Sequence, residues 1–487
     1  MNSIKQEYKA EVPSPLFRTG VDGLDIILGG GFPAGSLYLI QGLAGSGKTT
    51  LACQMGFLHA KHGEKVLVLT LIAESHSKML NHFRNFSFFD ENLVGDQVVF
   101  FSGYQRLANG GLRDLLTMIA ESLAEQKPSI LIIDGFRSVR NARPSDLDLS
   151  EFMHSLNALV SSMSCTTFLI SPVEGNVADS ENTLVDGVIE LSQHEHGMRL
   201  IREVKLYKIR GANHLLGKHV FEVKKQGVVI YPRFEAVATH ANSAPPALGN
   251  VISVGMSGWD KVIGGGIICG SVTCLLGHPG VGKTAVGLQF IKQGLDAGEA
   301  CLIIGFQESP PRLAAKAAKV GICIDNALAK GNLDIIWHLP LEVLIDSVAR
   351  DMFENIQRRG VTRLLIDGVE GMRNIVMHPE RAPSFLIALV NELRVRKVTT
   401  FITEQLPFLV NQRRIVNDDS ASAMYENIFL LEQVSNSSGM QREMSVMKLR
   451  ENEYDANKHI LSISNVGVTV SSRANQASPL LDGVECS

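Results

Sequence analysis

Lys48 and Thr49 close the stretch Gly42-Leu43-Ala44-Gly45-Ser46-Gly47-Lys48-Thr49. Residues of these types at this spacing form a phosphate-binding loop of the G-x-x-x-x-G-K-[ST] kind. The glycines let the backbone turn several N–H groups toward one anion, and a following helix adds its positive end. Lys48 supplies a charge for β- and γ-phosphates, and Thr49 a hydroxyl for Mg²⁺. Contacts to nucleotide are expected from Gly45, Ser46, Gly47, Lys48, Thr49 and Thr50. The pattern recurs at Gly277-His278-Pro279-Gly280-Val281-Gly282-Lys283-Thr284, where Gly280, Val281, Gly282, Lys283, Thr284 and Ala285 take the same places. The lysines differ by 235 positions (283 − 48). Two such loops point to nucleotide binding, with ATP and Mg²⁺ as the expected ligands.

Each loop needs a strand before it and a helix after it. Leu37-Tyr38-Leu39-Ile40 and Ser271-Val272-Thr273-Cys274-Leu275-Leu276 are short apolar runs of the buried-strand type. Thr50 to Lys61 suits a helix, with Gly63 as its stop. A further strand is expected at Val66–Thr70 with Glu74 after it, and its partner stretch Cys301–Glu308 closes on Glu308. A carboxylate just past a buried strand can polarise an attacking water; an acidic residue in a helix's first turn looks the same in sequence. Ser129 to Asp134 and Arg363 to Asp367 end apolar strands in an aspartate. The carboxyl end of a central strand is where α/β sheets bind ligands, so Asp134 and Asp367 are expected to join Thr49 and Thr284 in holding Mg²⁺.

The elements around these residues repeat too. Gly20, Asp25 and Gly29 answer to Gly255, Asp260 and Gly264 at the same offset of 235, the mark of a duplication. Helices are expected over Gly111–Gln126, Leu149–Met163 and Ala382–Val395, and strands over Thr166–Ile170 and Thr399–Ile402. Alternating strands and helices predict an α/β fold, a mostly parallel sheet with helices on both faces. Late in the first half Val188–Leu191, Arg199–Lys208 and Lys218–Ile230 read as antiparallel strands, turning near His196-Gly197 and Gln226-Gly227. The expected organisation is a loose arm over 1–16, domains over 17–235 and 251–470, a linker over 236–250, and a tail over 471–487.

Composition narrows the partners. The 487 residues carry a net charge of −4 with no lysine or arginine run, which disfavours bulk nucleic acid or an anionic membrane as the main partner. Seven scattered cysteines without a C-x-x-C pair suit reduced thiols of a cytoplasmic protein. The N-terminus lacks the apolar core of a signal peptide, and no apolar run reaches membrane-spanning length.

Tyr207-Lys208-Ile209-Arg210 and Met447-Lys448-Leu449-Arg450 add a Lys-x-Arg strand late in each half. With the tandem loops and the G-x-x-x-x-D segment before each triple-glycine turn, they make the chain resemble the KaiC family of ATPases over about residues 17–470. The resemblance implies two RecA-like P-loop domains and a double-ring homohexamer with ATP between subunits. Lys208 and Arg210, and Lys448 and Arg450, would then reach a neighbour's phosphates. The family pairs two glutamates after the second strand and favours the first as base; here the pairs are Ala73-Glu74 and Gln307-Glu308. Its clock member phosphorylates an adjacent Ser-Thr pair; here Ser422-Ala423 stands there, with Ser420 nearby, and Glu451 replaces a glycine after the second Lys-x-Arg. The leading reading is a ring ATPase with a regulatory role and a signalling-protein partner. An autokinase acting at Ser422 and a nucleotide-held platform with little hydrolysis are alternatives. A DNA-handling ATPase shares the fold but lacks a helix-turn-helix, zinc module or basic patch here.

Overall fold

Alternate residues of the strand at Leu37–Gly42 point to opposite faces of its sheet, and both faces are apolar. Tyr38 and Ile40 join one core with Val68, Ile132 and Phe168 beneath the helix Lys48–Ala60. Leu37 and Leu39 join a second core with Leu67, Leu131 and Leu169, covered by the helices Tyr104–Gln126 and Asp146–Ser162. A sheet buried on both faces in this way needs helices on both sides.

This computed structural model describes residues 15–72, 76–141, 145–173, 183–238, 250–339, 343–406, 424–436, 439–450 and 452–472. The chain divides into two compact units, Met1–Ala236 and Val237–Ser487. Each carries a nine-stranded sheet among the described residues. In the first, the strand Leu37–Gly42 lies between Gly187–His196 and Thr166–Ser171, both parallel to it. Beyond Thr166–Ser171 follow Ile130–Asp134, Val66–Thr70 and Val98–Ser102, all parallel. Past Gly187–His196 the sheet continues antiparallel through Arg199–Ile209, Lys218–Lys224 and Gly227–Tyr231. The second unit repeats the order around Val272–Gly277, with Thr399–Gln405, Arg363–Asp367, Cys301–Gly305 and Leu333–Trp337 on one side and Asn427–Asn436 then Gly439–Leu449 on the other. This is the RecA-like arrangement that the resemblance implied.

The duplicated segment before each loop has a physical role. Asp25 Oδ1 accepts from the Thr19 N–H at 2.8 Å, and Asp260 Oδ1 accepts from the Val254 N–H at 2.9 Å. Each aspartate pins the turn that leads into the central strand.

Two elements carry more than their sequence reading gave. The strand at Gly187–His196 is antiparallel only toward Arg199–Ile209; toward Leu37–Gly42 it is parallel, because a crossover brings it back to the sheet centre. The helix expected from Gly111 to Gln126 begins there, at a break where Gly111 has a φ of 68°, and a further helical stretch from Tyr104 precedes it. Helical residues resume on both sides because Leu107 and Leu115 bury on the same core.

Candidate functional site

Both loops leave the carboxyl end of a buried central strand and enter a helix at its first turn, which starts at Lys48 and at Lys283. The turn needs left-handed backbone. Gly45 and Gly47 have φ of 77° and 99°, and Gly280 and Gly282 have 79° and 111°. A Cβ at Gly45 or Gly280 would meet nothing within 4 Å, so each loop presents open backbone at its crest. An anion can settle there against unpaired N–H groups of the helix start. Ser46 is buried with its hydroxyl unpartnered among the described residues.

The lysines are held over their loops. Lys48 Nζ donates to the carbonyls of Gly42 and Leu43, both at 2.8 Å. Lys283 Nζ donates to Gly277 and His278 at 2.6 and 3.0 Å. Burial lowers both ammonium groups below the usual lysine range. Asp134 opposes that shift at Lys48; Glu370 and then Asp367 oppose it at Lys283.

A hydroxyl and a carboxylate meet beside each loop. Thr49 Oγ1 donates to Asp134 Oδ2 at 2.9 Å. Thr284 Oγ1 donates to Asp367 at 3.0 Å. Two hard oxygen donors next to a phosphate-binding loop fit Mg²⁺, which takes one or two protein oxygens and completes its shell with phosphate and water. The second aspartate is bound further: Thr403 Oγ1 donates to Asp367 Oδ1 at 2.8 Å and accepts from the Gly368 N–H at 2.8 Å. Burial raises the Asp367 carboxyl above the usual range, against the lowering effect of Thr403 and Thr284. In the first half the register neighbour of Asp134 is Ile170, which has no hydroxyl.

A cavity of about 260 Å³ opens over the second loop, lined among others by Lys283, Gln307, Glu308, Lys316, Asp367 and Glu370. Glu308 Oε1 accepts from Lys316 Nζ at 2.8 Å, and its Oε2 is buried without a partner among the described residues. Sequence reasoning missed Lys316, Thr403 and Glu370. Glu370 had a readable signal, an acidic residue three positions past Asp367, but the first half has Arg137 there. In the first half Glu74 lies outside the described residues, as do Ser420, Ser422, Ala423 and Glu451. Close to Glu74 in sequence, the His76 ring Nε2 lies 2.8 Å from Thr70 Oγ1, at the end of the strand beside Asp134.

The Lys-x-Arg pairs are not brought to their own loops. Lys208 pairs with Val188, which pairs with Leu39, three residues short of Gly42. Lys448 pairs with Ile428, and Ile428 with Cys274, again three short of the loop strand's last residue. At about 3.3 Å per residue, and with the antiparallel strand running onward to the arginine, both pairs lie toward the amino-terminal end of the central strand, away from the loop. There Lys208 Nζ donates to the Thr183 carbonyl at 3.3 Å, and Lys448 Nζ to the Tyr425 carbonyl at 2.7 Å. Burial and then the adjacent arginine lower both lysines. Arg210 also donates to Thr183 and faces Asp186 at 3.5 Å.

Comparison with known proteins bears on both halves. The family model described as "ATPase: KaiC" matches residues 17–235 and again 252–475. Among curated proteins, the circadian clock oscillator protein KaiC of Picosynechococcus sp. is 24% identical over 93% of this chain and 89% of its own length. The circadian clock oscillator protein KaiC 1 of Synechocystis sp. is 24% identical over 92% and 88%. The circadian clock protein KaiC3 of the same organism is 23% identical over 96% and 93%.

Proposed function

The chain belongs to the KaiC family of ATPases, and from that premise we propose that it binds and hydrolyses ATP at both loops and uses the cycle to regulate a partner protein. The observation that carries this reading is the repeated constellation of loop lysine, hydroxyl and strand-end aspartate, Lys48–Thr49–Asp134 and Lys283–Thr284–Asp367. In it Gly45, Ser46, Gly47 and Thr50, with Gly280, Val281, Gly282 and Ala285, wrap the phosphates. Lys48 and Lys283 leave their loop carbonyls for the β- and γ-phosphates. Thr49 with Asp134, and Thr284 with Asp367, would hold Mg²⁺, which when bound would supply charge neutralisation for phosphoryl transfer. A carboxylate at each loop acts on the attacking water; Glu74 and Glu308, one after each second strand, are the carboxylates to which the sequence points. ATPase domains over 17–235 and 251–470, joined by a linker at 236–250, complete the assignment.

A homohexamer follows from the same reading. Lys208 and Arg210, and Lys448 and Arg450, lie toward the amino-terminal end of the central strands, away from their own loops, which suits cations given to a neighbouring subunit's phosphates. Among the described residues no helix is long and apolar enough to cross a membrane; with the near-neutral charge, this supports a cytoplasmic assembly whose partners are its own copies and a signalling protein. The second reading, autophosphorylation at Ser422, rests on the family resemblance alone, since Ser422 lies outside the described residues.

The test is ATP binding and phosphate release by the purified full chain with Mg²⁺. Binding of about two ATP per chain with release of free phosphate supports the reading; absence of ATP binding refutes it.

A further inference from the structure

Glu370 is a carboxylate of the second cavity that has no counterpart in the first half, where Arg137 holds the corresponding position. It is half-buried at the start of the short helix Val369–Ile375. Its Oε1 accepts a hydrogen bond from the Gln405 N–H, which ties it to the strand that carries Thr403. Its Oε2 faces the turn just past Asp367: a Cβ built on Gly368 would lie 3.8 Å from Glu370 Oε2 and 3.7 Å from Gln307 Nε2. A carboxylate and an amide therefore approach one point beside the loop. Glu370 and Lys283 line the same cavity, and the Glu370 charge opposes the lowering of the Lys283 ammonium by burial. Glu308 is placed differently, with one oxygen on Lys316 and the other buried.

Resting on the hydrolytic reading above, we propose that Glu370 is the catalytic base of the second site and that Gln307 orients the water it acts on. A glutamine amide can accept from a water and donate to a phosphate oxygen at once, which suits that task. In the step, the water oxygen forms a bond to the γ-phosphorus. The bond from that phosphorus to the β,γ-bridging oxygen breaks, and its electron pair leaves with ADP. The water proton passes to the Glu370 carboxylate, which returns it to solvent. Glu308 then serves by fixing Lys316 at the cavity wall. The second half thus carries its base at the end of a different strand from the one that gives Glu74 to the first.

The experiment uses full-length chain carrying Lys48→Ala, so that the second site alone reports. Glu370→Gln and Glu308→Gln are each added to it. Glu370→Gln keeps an oxygen acceptor for the Gln405 N–H and removes only basicity. Affinity is read with a fluorescent ATP analogue, and chemistry with single-turnover hydrolysis of ATP. The expected result for Glu370→Gln is affinity within about twofold of the parent and hydrolysis slower by at least about 100-fold, with a smaller loss in Glu308→Gln. Hydrolysis by Glu370→Gln at the parent rate overturns the proposal, as does loss of ATP binding together with turnover, which would make Glu370 structural. A Lys48→Ala parent that binds ATP without hydrolysing it also overturns it, while a parent that binds no ATP contradicts the wider functional reading.

Discussion

The first and second nucleotide loops share a skeleton and differ in the chemistry around it. Thr49 and Thr284 each donate to a strand-end aspartate at 2.9–3.0 Å, and each lysine is held by two loop carbonyls. Around that skeleton the second site has the Thr403 hydroxyl, Glu370 and a Lys316–Glu308 pair; Glu74, the first-half counterpart of Glu308, lies outside the described residues. The first has Ile170 where Thr403 stands and Arg137 where Glu370 stands. Duplication has kept the residues that the loop geometry demands. The positions beside the shared strand-end aspartates, Thr403 against Ile170 and Glu370 against Arg137, have diverged.

The largest predicted effect would break both sites together. Lys48→Ala with Lys283→Ala should abolish ATP turnover, whereas each single change should silence one loop. Losing a charge-assisted partner costs about 3 kcal/mol, or roughly 100-fold in affinity per site; equilibrium binding measures it. Next, Arg210→Ala with Arg450→Ala should slow turnover by up to about 1,000-fold with ATP binding retained, as for a cation given to a neighbour's phosphates. Mixing these chains with the double-lysine variant should restore part of the activity, since intact loops and intact arginines then meet across subunits. No recovery on mixing would contradict the shared interface.

Smaller effects sharpen the contrast between the aspartates. Asp134→Asn or Asp367→Asn should raise the Mg²⁺ needed at its own site by about 10- to 100-fold. Asp367 has a pH signature as well. Burial raises its carboxyl, so it takes up a proton at a higher pH than an ordinary aspartate. The ionised carboxylate that Mg²⁺ would need is present well above that raised value and is lost as the pH falls through it. In Lys48→Ala chain, Mg²⁺-supported turnover should therefore fail on acidification. Thr403→Val removes a hydrogen bond that lowers the carboxyl, so the failure should move to higher pH and Mg²⁺ affinity should weaken by about tenfold. A Mg²⁺ titration across pH reads both, and an unchanged midpoint in Thr403→Val would remove Thr403 from the account.

Much of the fold was legible because its signals are local. The helix Ala382–Val395 and the strands Val66–Thr70 and Arg363–Asp367 run as their apolar patterns indicate. Pairing was less legible, since nothing within Val188–Leu191 says that it will lie parallel to Leu37–Gly42 after a crossover. At the sites, loops and strand-end aspartates could be read because both depend on residue type at fixed spacing. Glu370 was missed for a specific reason: a reading built on repetition favours what the halves share, and Arg137 breaks the repeat there. Lys316 and Thr403 reach the cavity from a helix and a neighbouring strand, a proximity that exists only after folding.

The most direct test of the central claim follows γ-labelled ATP with purified full chain and Mg²⁺, counting free and protein-bound phosphate from one tube, beside the Lys48→Ala/Lys283→Ala variant. The account predicts free phosphate from the unmodified chain and none from the variant. Equal release from both would contradict it.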